Sequence, residues 1–169
     1  MNLLNIAKER FSVRSYLNKE IPQDVLDEIL EAAHVAPTAA NLQPVRIFVL
    51  KSDEAKAKLA RGANIYGAPV AVLVCADKSK AWTRPFDGHQ STDIDATILT
   101  DHMMLCATEK GLGSVWICYF KPDVISKEFN LPENLVPVNI LALGYTDEKS
   151  NSERHGQTRI SKEELVSYL

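Results

Sequence analysis

The chain is short of most features that mark a secreted, metal-bound or membrane protein. Its three cysteines, Cys75, Cys106 and Cys118, are odd in number and widely spaced within apolar segments. That pattern excludes a disulfide framework and suits buried free thiols. The four histidines, His34, His89, His102 and His155, show neither HxxxH nor mixed His/Cys ligand spacing, so no metal site is expected. No apolar run approaches the span of a bilayer, and the first ten residues lack the apolar stretch of a signal peptide. The expected location is the cytoplasm. With a net charge of -3 and no basic tail, the chain has no electrostatic footprint for nucleic acid. Any anion site must therefore be local.

Glycine and proline are sparse too, at 7 and 8 residues, while 46% of the 169 residues are apolar and 24% charged, which argues against disorder. The length suits a single domain, residues 1–169. Three phosphate or nucleophile motifs are missing: no GxGxxG follows a strand, and there is no GxxxxGK[ST] and no GxSxG. A dinucleotide Rossmann site, a P-loop and a hydrolase elbow all lose support.

Residues 2–10 fit a helix, and Pro22 opens a second in which Val25, Leu26, Ile29, Leu30 and Ala33 recur at helical spacing. The loop 37–44 is bracketed by Pro37 and Pro44, and a strand follows from Arg46 to Leu50. Ser52-Asp53-Glu54 starts a helix to about Ala60, and the run Val70 to Cys75 reads as a central strand buried on both faces. Residues 76–92 are polar and read as an excursion or lid-like loop. The longest helix is expected from Thr92 or Asp93 to Lys110, with Ile94, Ile98, Leu99, His102, Leu105 and Cys106 on its packed face and Gly111 as its left-handed cap. Strands at Ser114–Cys118 and Val138–Leu143 flank a short helix from Pro122 to Phe129, and Ser161 with Glu164 forms a possible capping box. Strands interleaved with helices imply an α/β or α+β sandwich around a central sheet.

Four groups of residues offer chemistry, and each has a plainer reading. Arg10 and Arg14 share one face in a helix, and in an extended segment Ser12 joins them, so two guanidinium groups can converge on a phosphate. A solvated basic face neutralised by Glu9 or Glu20 explains the same residues, and spacing alone favours it. Thr38, Asn41 and Gln43 gather amide and hydroxyl groups in a proline-pinned loop, as a site for a polar heterocycle needs, although turn chemistry uses the same residues. Trp116-Ile117-Cys118-Tyr119-Phe120 can stack a planar ring or simply pack a core. His102 reads as a satisfied core histidine, and Asp93, Asp95 and Asp101 as acids that cap and solvate the long helix.

Taken in order along the chain, these segments resemble the FMN-dependent nitroreductase family. Arg10 to Tyr16 resembles its RxSxR opening, Ala36 to Pro44 its APSxxNxQPW loop, Gly111 to Ile117 its GLGxxWI stretch, and Gly144-Tyr145 its GYP turn before a basic tail. The resemblance implies an α+β three-layer sandwich, with a central mixed, mostly antiparallel sheet flanked by helices. It also implies an intertwined homodimer with FMN at the interface.

Carried over by position, Arg10, Ser12 and Arg14 would hold the phosphate and ribityl chain with Arg159, while Gln157 stands where many relatives carry a second cation. Pro37, Thr38, Ala39, Asn41 and Gln43 would reach the same flavin, and Asn64 its pyrimidine edge. Trp116, Ile117 and Cys118 would lie along the ring, with a backbone N–H directed at N5. Val45 and Cys118 depart from the family's usual Trp and frequent Gly, which bears on substrate preference.

The implied activity is NAD(P)H-dependent reduction of nitroaromatic, quinone or flavin acceptors by a ping-pong route, with no catalytic acid or base demanded of the protein. Two alternatives are a specialised flavoenzyme, oxidative or dehalogenating, in which the excursion sets specificity, and a flavin-binding redox module without turnover.

Overall fold

The computed structural model describes residues 2–169, and its core is one four-stranded sheet with helices on both faces. The chain runs α1 (Leu3–Glu9), α2 (Gln23–His34), β1 (Val45–Leu50), α3 (Asp53–Ala60), β2 (Val70–Asp77), α4 (Thr92–Glu109), β3 (Gly113–Ile117), α5 (Pro122–Glu128) and β4 (Leu135–Gly144). Two short helices, α6 (His155–Thr158) and α7 (Lys162–Leu165), end it. The strand order is β1-β2-β4-β3, and every pair of strands is antiparallel. Among the described residues the one parallel pairing is an isolated bridge, Ser12 to Ser114, which lays residues 11–14 along the outer edge of β3. The sheet is thus mixed but mostly antiparallel, as the resemblance implies.

Alternation along the strands builds the two packed layers. Val70, Val72 and Val74 of β2 and Leu141 and Leu143 of β4 face α2 and α4, whereas Ala71, Leu73, Cys75, Ile140 and Ala142 face the side of α3 and α5. Helices on both sides explain why all eight residues of β2 are buried. Sheet formation at β3 requires a bare backbone at its start: a Cβ on Gly113 would lie 2.7 Å from Val13 Cγ2.

Local signals match the ends of several elements. Ser52 accepts from the Ala55 N–H to cap α3, Ser161 accepts from the Glu164 N–H to cap α7, and Gly111 takes φ +75° after α4.

Four expectations require correction. The buried face of α4 is Asp95, Ala96, Leu99, Thr100, Met103, Met104 and Ala107, while Ile94 is exposed and Ile98, His102 and Leu105 are only half-buried. The inner side of α4 mixes Leu99, Met103 and Met104 with Ala96, Thr100 and Ala107 while Ile94 faces out, so apolar spacing alone does not mark the packed face. Asp95 does not solvate the helix; it is wholly enclosed. The excursion is a paired hairpin, with a Thr83–Gln90 bridge and Ser91 N donating to Trp82 O at 2.9 Å. The thiols are not uniformly buried either. Cys75 is enclosed, Cys106 half-buried and Cys118 exposed, because β3 stops at Ile117.

Candidate functional site

Residues 10–14 adopt the extended alternative. Val13 N donates to Ser114 O at 2.9 Å and the Val13 side chain is buried, which leaves Ser12 and Arg14 outward. Glu9 and Glu20 do not neutralise this segment: among the described residues no ion pair joins Arg10, Arg14, Arg154 or Arg159 to an acid. Arg14 Nη1 instead donates to Ser12 O at 3.3 Å, and its guanidinium lies 5.8 Å from the centre of the Tyr66 ring. The Arg14 N–H donates to Glu148 Oε1 at 3.2 Å.

The tail comes back to this segment through Arg154. Its guanidinium donates to the carbonyls of Lys8 at 3.1 Å and Asn151 at 2.7 Å, to Ser150 Oγ at 3.0 Å, and to the Arg10 carbonyl. Lys8 and Arg10 end α1, where carbonyls lack helical partners and carry partial negative charge, so a guanidinium suits them on both counts. Arg159 follows directly on α6, the short helix whose His155 Nε2 lies 3.3 Å from the Lys8 carbonyl. Burial lowers the Arg10 pKa first, and the positive charges of Arg154 and Arg159 lower it further, with Asp101 opposing them. Three cations, with Arg10 half-buried, thus share this end of the molecule, and among the described residues none of them forms an ion pair with a carboxylate. Such an arrangement is stabilised by an anion.

The loop 37–44 is built differently. Ala39 to Asn41 form a single 3-10 turn, and Ala40, Asn41 and Gln43 take φ of 50°, 55° and 51°. Left-handed backbone costs a non-glycine residue about 1–2 kcal/mol, less for Asn, so the loop stores strain that other contacts must offset. Thr38 Oγ1 accepts from the Gln43 N–H at 3.1 Å, Gln43 Nε2 donates to Asn41 Oδ1 at 3.1 Å, and Asp95 Oδ1 accepts from the Ala39 N–H at 2.8 Å. Thr38, Asn41 and Gln43 line the rim of a cleft of about 820 Å³ whose wall includes Val45, Ile47 and Leu99.

At the end of β3, Ile117 is buried, whereas Cys118 and Tyr119 are exposed past the last ladder pair, Ile117 with Ile140. Their backbone N–H groups take no part in the turn bonds that follow, in which Phe120 N donates to Cys118 O at 3.2 Å and Lys121 N to Gly62 O at 2.9 Å. Ser114 Oγ and Trp116 Nε1 are buried and unpartnered. Asn64 forms an Asx turn, accepting from the Tyr66 N–H at 2.8 Å, and so belongs to the loop whose Tyr66 ring meets Arg14.

The structure therefore gathers Arg10, Ser12, Arg14, Arg159 and the Asn64 loop on one part of the molecule. Within one chain no hydrogen bond among the described residues joins that group to Pro37, Thr38, Ala39, Asn41 or Gln43. Gln157 lies in α6, exposed, and its side chain makes no hydrogen bond among the described residues. Sequence reasoning missed Arg154 and Asp95. The first stood in plain view in the basic tail; the second is an acid near the start of a helix, where solvation is the usual role.

These features define an α+β fold, one sheet between two layers of helices, with a cationic cluster at the sheet edge. The nitroreductase family profile matches residues 7–63 and 56–145, and the chain belongs to that family. A crystal structure of a nitroreductase family protein from Clostridium difficile 630 superposes with a TM-score of 0.97 at 53% identity, covering 99% of this chain and 98% of that one. An NADH dehydrogenase of Thermus thermophilus is 30% identical over 85% of this chain and 86% of its own length. An FMN reductase (NAD(P)H) of Bacillus subtilis is 28% identical over 94% of this chain and 74% of its own.

Proposed function

We propose that the chain is an FMN-dependent oxidoreductase that takes electrons from NADH or NADPH and passes them to a nitroaromatic, quinone or flavin-type acceptor by a ping-pong route. The observation that carries this reading is a cationic edge, Arg10 and Arg14 without an ion pair among the described residues, onto which Arg154 folds the tail that bears Arg159. Its donor chemistry fits a phosphate monoester. The orphaned Trp116 Nε1 and Ser114 Oγ, and the free N–H groups past Ile117, fit the polar edge of a heterocycle.

In this reading Arg10, Ser12, Arg14 and Arg159 hold the phosphate end, and Arg154 keeps the tail in place. Gln157 adds a neutral amide on the same tail. Pro37, Thr38, Ala39, Asn41 and Gln43 come from the second subunit of a homodimer and complete the pocket, with Asn64 and the segment Trp116-Ile117-Cys118 along the ring. Apolar surface supports the dimer: Leu3 and Leu4 of α1 are 67% and 64% exposed and Ile94 of α4 is 51% exposed. Bound FMN would supply the two-electron chemistry, so the chain's tasks are to bind, orient and limit water at the ring. Backbone donors near Cys118 suit that task because they cannot titrate and are held by the end of a strand.

Purified protein tests this directly. A yellow dimer that releases FMN, is bleached by NAD(P)H and recovers its colour with acceptor is expected, with parallel lines in two-substrate steady-state kinetics. Protein that stays colourless after incubation with FMN would overturn the reading.

A further inference from the structure

Among the described residues Asp77 and Asp95 are the two buried acids, and they are satisfied in different ways. Asp77 has Ser79, Asn134 and Lys80 around it. Asp95 is wholly enclosed and has no cation within ion-pairing distance. Its two oxygens face two separate parts of the chain. Oδ1 accepts from the Ala39 N–H at 2.8 Å, and Oδ2 accepts from the Ser91 hydroxyl at 2.7 Å. Ser91 is itself buried and closes the hairpin through its N–H to Trp82 O at 2.9 Å. A buried carboxylate bears a large desolvation cost, which charge-assisted hydrogen bonds and the positive end of α4 offset only if both partners stay in place. Burial without a cation therefore makes Asp95 demanding about geometry.

The loop that it grips is the strained one. Ala40, Asn41 and Gln43 all hold left-handed backbone, and a loop in that state relaxes unless its surroundings over-determine it. The bond from Asp95 is a hydrogen bond to this loop from a side chain outside it, and it enters at Ala39, the residue before the first left-handed position.

Building on the flavin reading above, we propose that Asp95 is a positioning residue. Through Ala39 it holds Thr38, Asn41 and Gln43 in the conformation that meets the cofactor. Through Ser91 it ties that loop to the hairpin of residues 82–91, so the two move as one unit.

Three variants test this. Asp95→Ala removes both bonds. Ala39→Pro removes only the donated N–H, at the first position of a turn, where proline is tolerated. Asp95→Asn keeps an oxygen for Ala39, and the Ser91 hydroxyl can turn to accept from the new amide. Hydrogen–deuterium exchange on apo-protein is expected to show lost protection at residues 38–43 in Asp95→Ala and Ala39→Pro, with β2 and β4 still protected. Titration with FMN is expected to show affinity weakened by about tenfold or more in both, the scale of one lost charge-assisted bond, together with an altered visible band shape. Asp95→Asn should return exchange and affinity to within about threefold of wild type. Should Asp95→Ala fail to fold, Ala39→Pro carries the comparison alone. Wild-type exchange and wild-type affinity in either folded variant would overturn the role of Asp95. Failure of the wild-type protein to take up FMN would instead sink the functional reading, and the two failures are told apart before any variant is made.

Discussion

Thr100 shows how much a single hydroxyl can settle inside this core. Its Oγ1 lies 2.8 Å from the Ala96 carbonyl and 3.0 Å from Asn139 Oδ1, yet it carries one proton. Only one acceptor is served at a time. Turning the Asn139 amide about would let Nδ2, otherwise buried and unpartnered, donate to Oγ1 while the proton goes to Ala96. Either orientation needs the hydroxyl. Thr100→Val, nearly equal in shape, is therefore expected to destabilise the protein by about 1–3 kcal/mol, the cost of leaving a buried amide group unmade. Urea unfolding followed by circular dichroism measures it, and an unchanged midpoint would show that Asn139 finds another partner. Residues of this kind escape sequence reading. A Thr inside a helix and an Asn inside an apolar strand carry no mark of their pairing, since the contact spans 39 residues. Arg10, Ser12 and Arg14 stand out as a candidate group because one short stretch holds all three. Arg154 was not, because its role is defined by carbonyls 144 and 146 residues away.

Elements were readable where local chemistry settles them. Caps at Ser52 and Ser161, the proline before α2 and the uniform apolar run of β2 all act within a few residues, and each marks its element in the structure. The packed face of α4 was not readable, because its inner side uses Ala96, Thr100 and Ala107 for close approach and leaves Ile94 outside. The loop 37–44 was recognised by its prolines, but its three left-handed residues are Ala, Asn and Gln, two of which give no such hint.

Contact between β3 and the Arg10–Arg14 segment yields a prediction at this same scale. A methyl at Gly113 would meet Val13 Cγ2 at 2.7 Å and Thr146 Cγ2 at 2.9 Å, so Gly113→Ala must push the segment outward or distort β3. Overpacking of this sort costs about 1–3 kcal/mol. On the flavin reading proposed above, the variant should also bind FMN more weakly than its loss of stability accounts for, because the displaced segment carries Arg10 and Arg14. Equal affinity in the folded variant would show that the cations reach the phosphate from a segment free to shift.

At the scale of the whole molecule, the two faces of the sheet are closed by different helices, and β2 is buried along its whole length between them. Cys75 sits there with no exposure. Burial pushes its thiol up to about 12, so at pH 8 it is protonated as well as shielded. Cys118 is exposed and Cys106 half-buried. Labelling with a thiol reagent should therefore proceed in stages. In the FMN-free protein Cys118 reacts first, Cys106 follows more slowly, and Cys75 reacts only through global unfolding, at a rate that rises with urea as overall stability falls. The same displacement has a pH consequence. An unfolded chain ionises its thiol near the ordinary value of 9, whereas the folded chain keeps the proton to about 12, so the unfolded state releases protons first and stability falls as pH rises through that window. Tyr16, whose hydroxyl donates to the Val13 carbonyl at 3.1 Å and whose pKa is also raised, chiefly by burial, acts in the same direction. Mass spectrometry of labelled peptides at pH 8 and at pH 10 separates the two effects. Rapid native labelling of Cys75, at a rate like that of Cys118, would mean that one layer of helices opens from the sheet without unfolding the other.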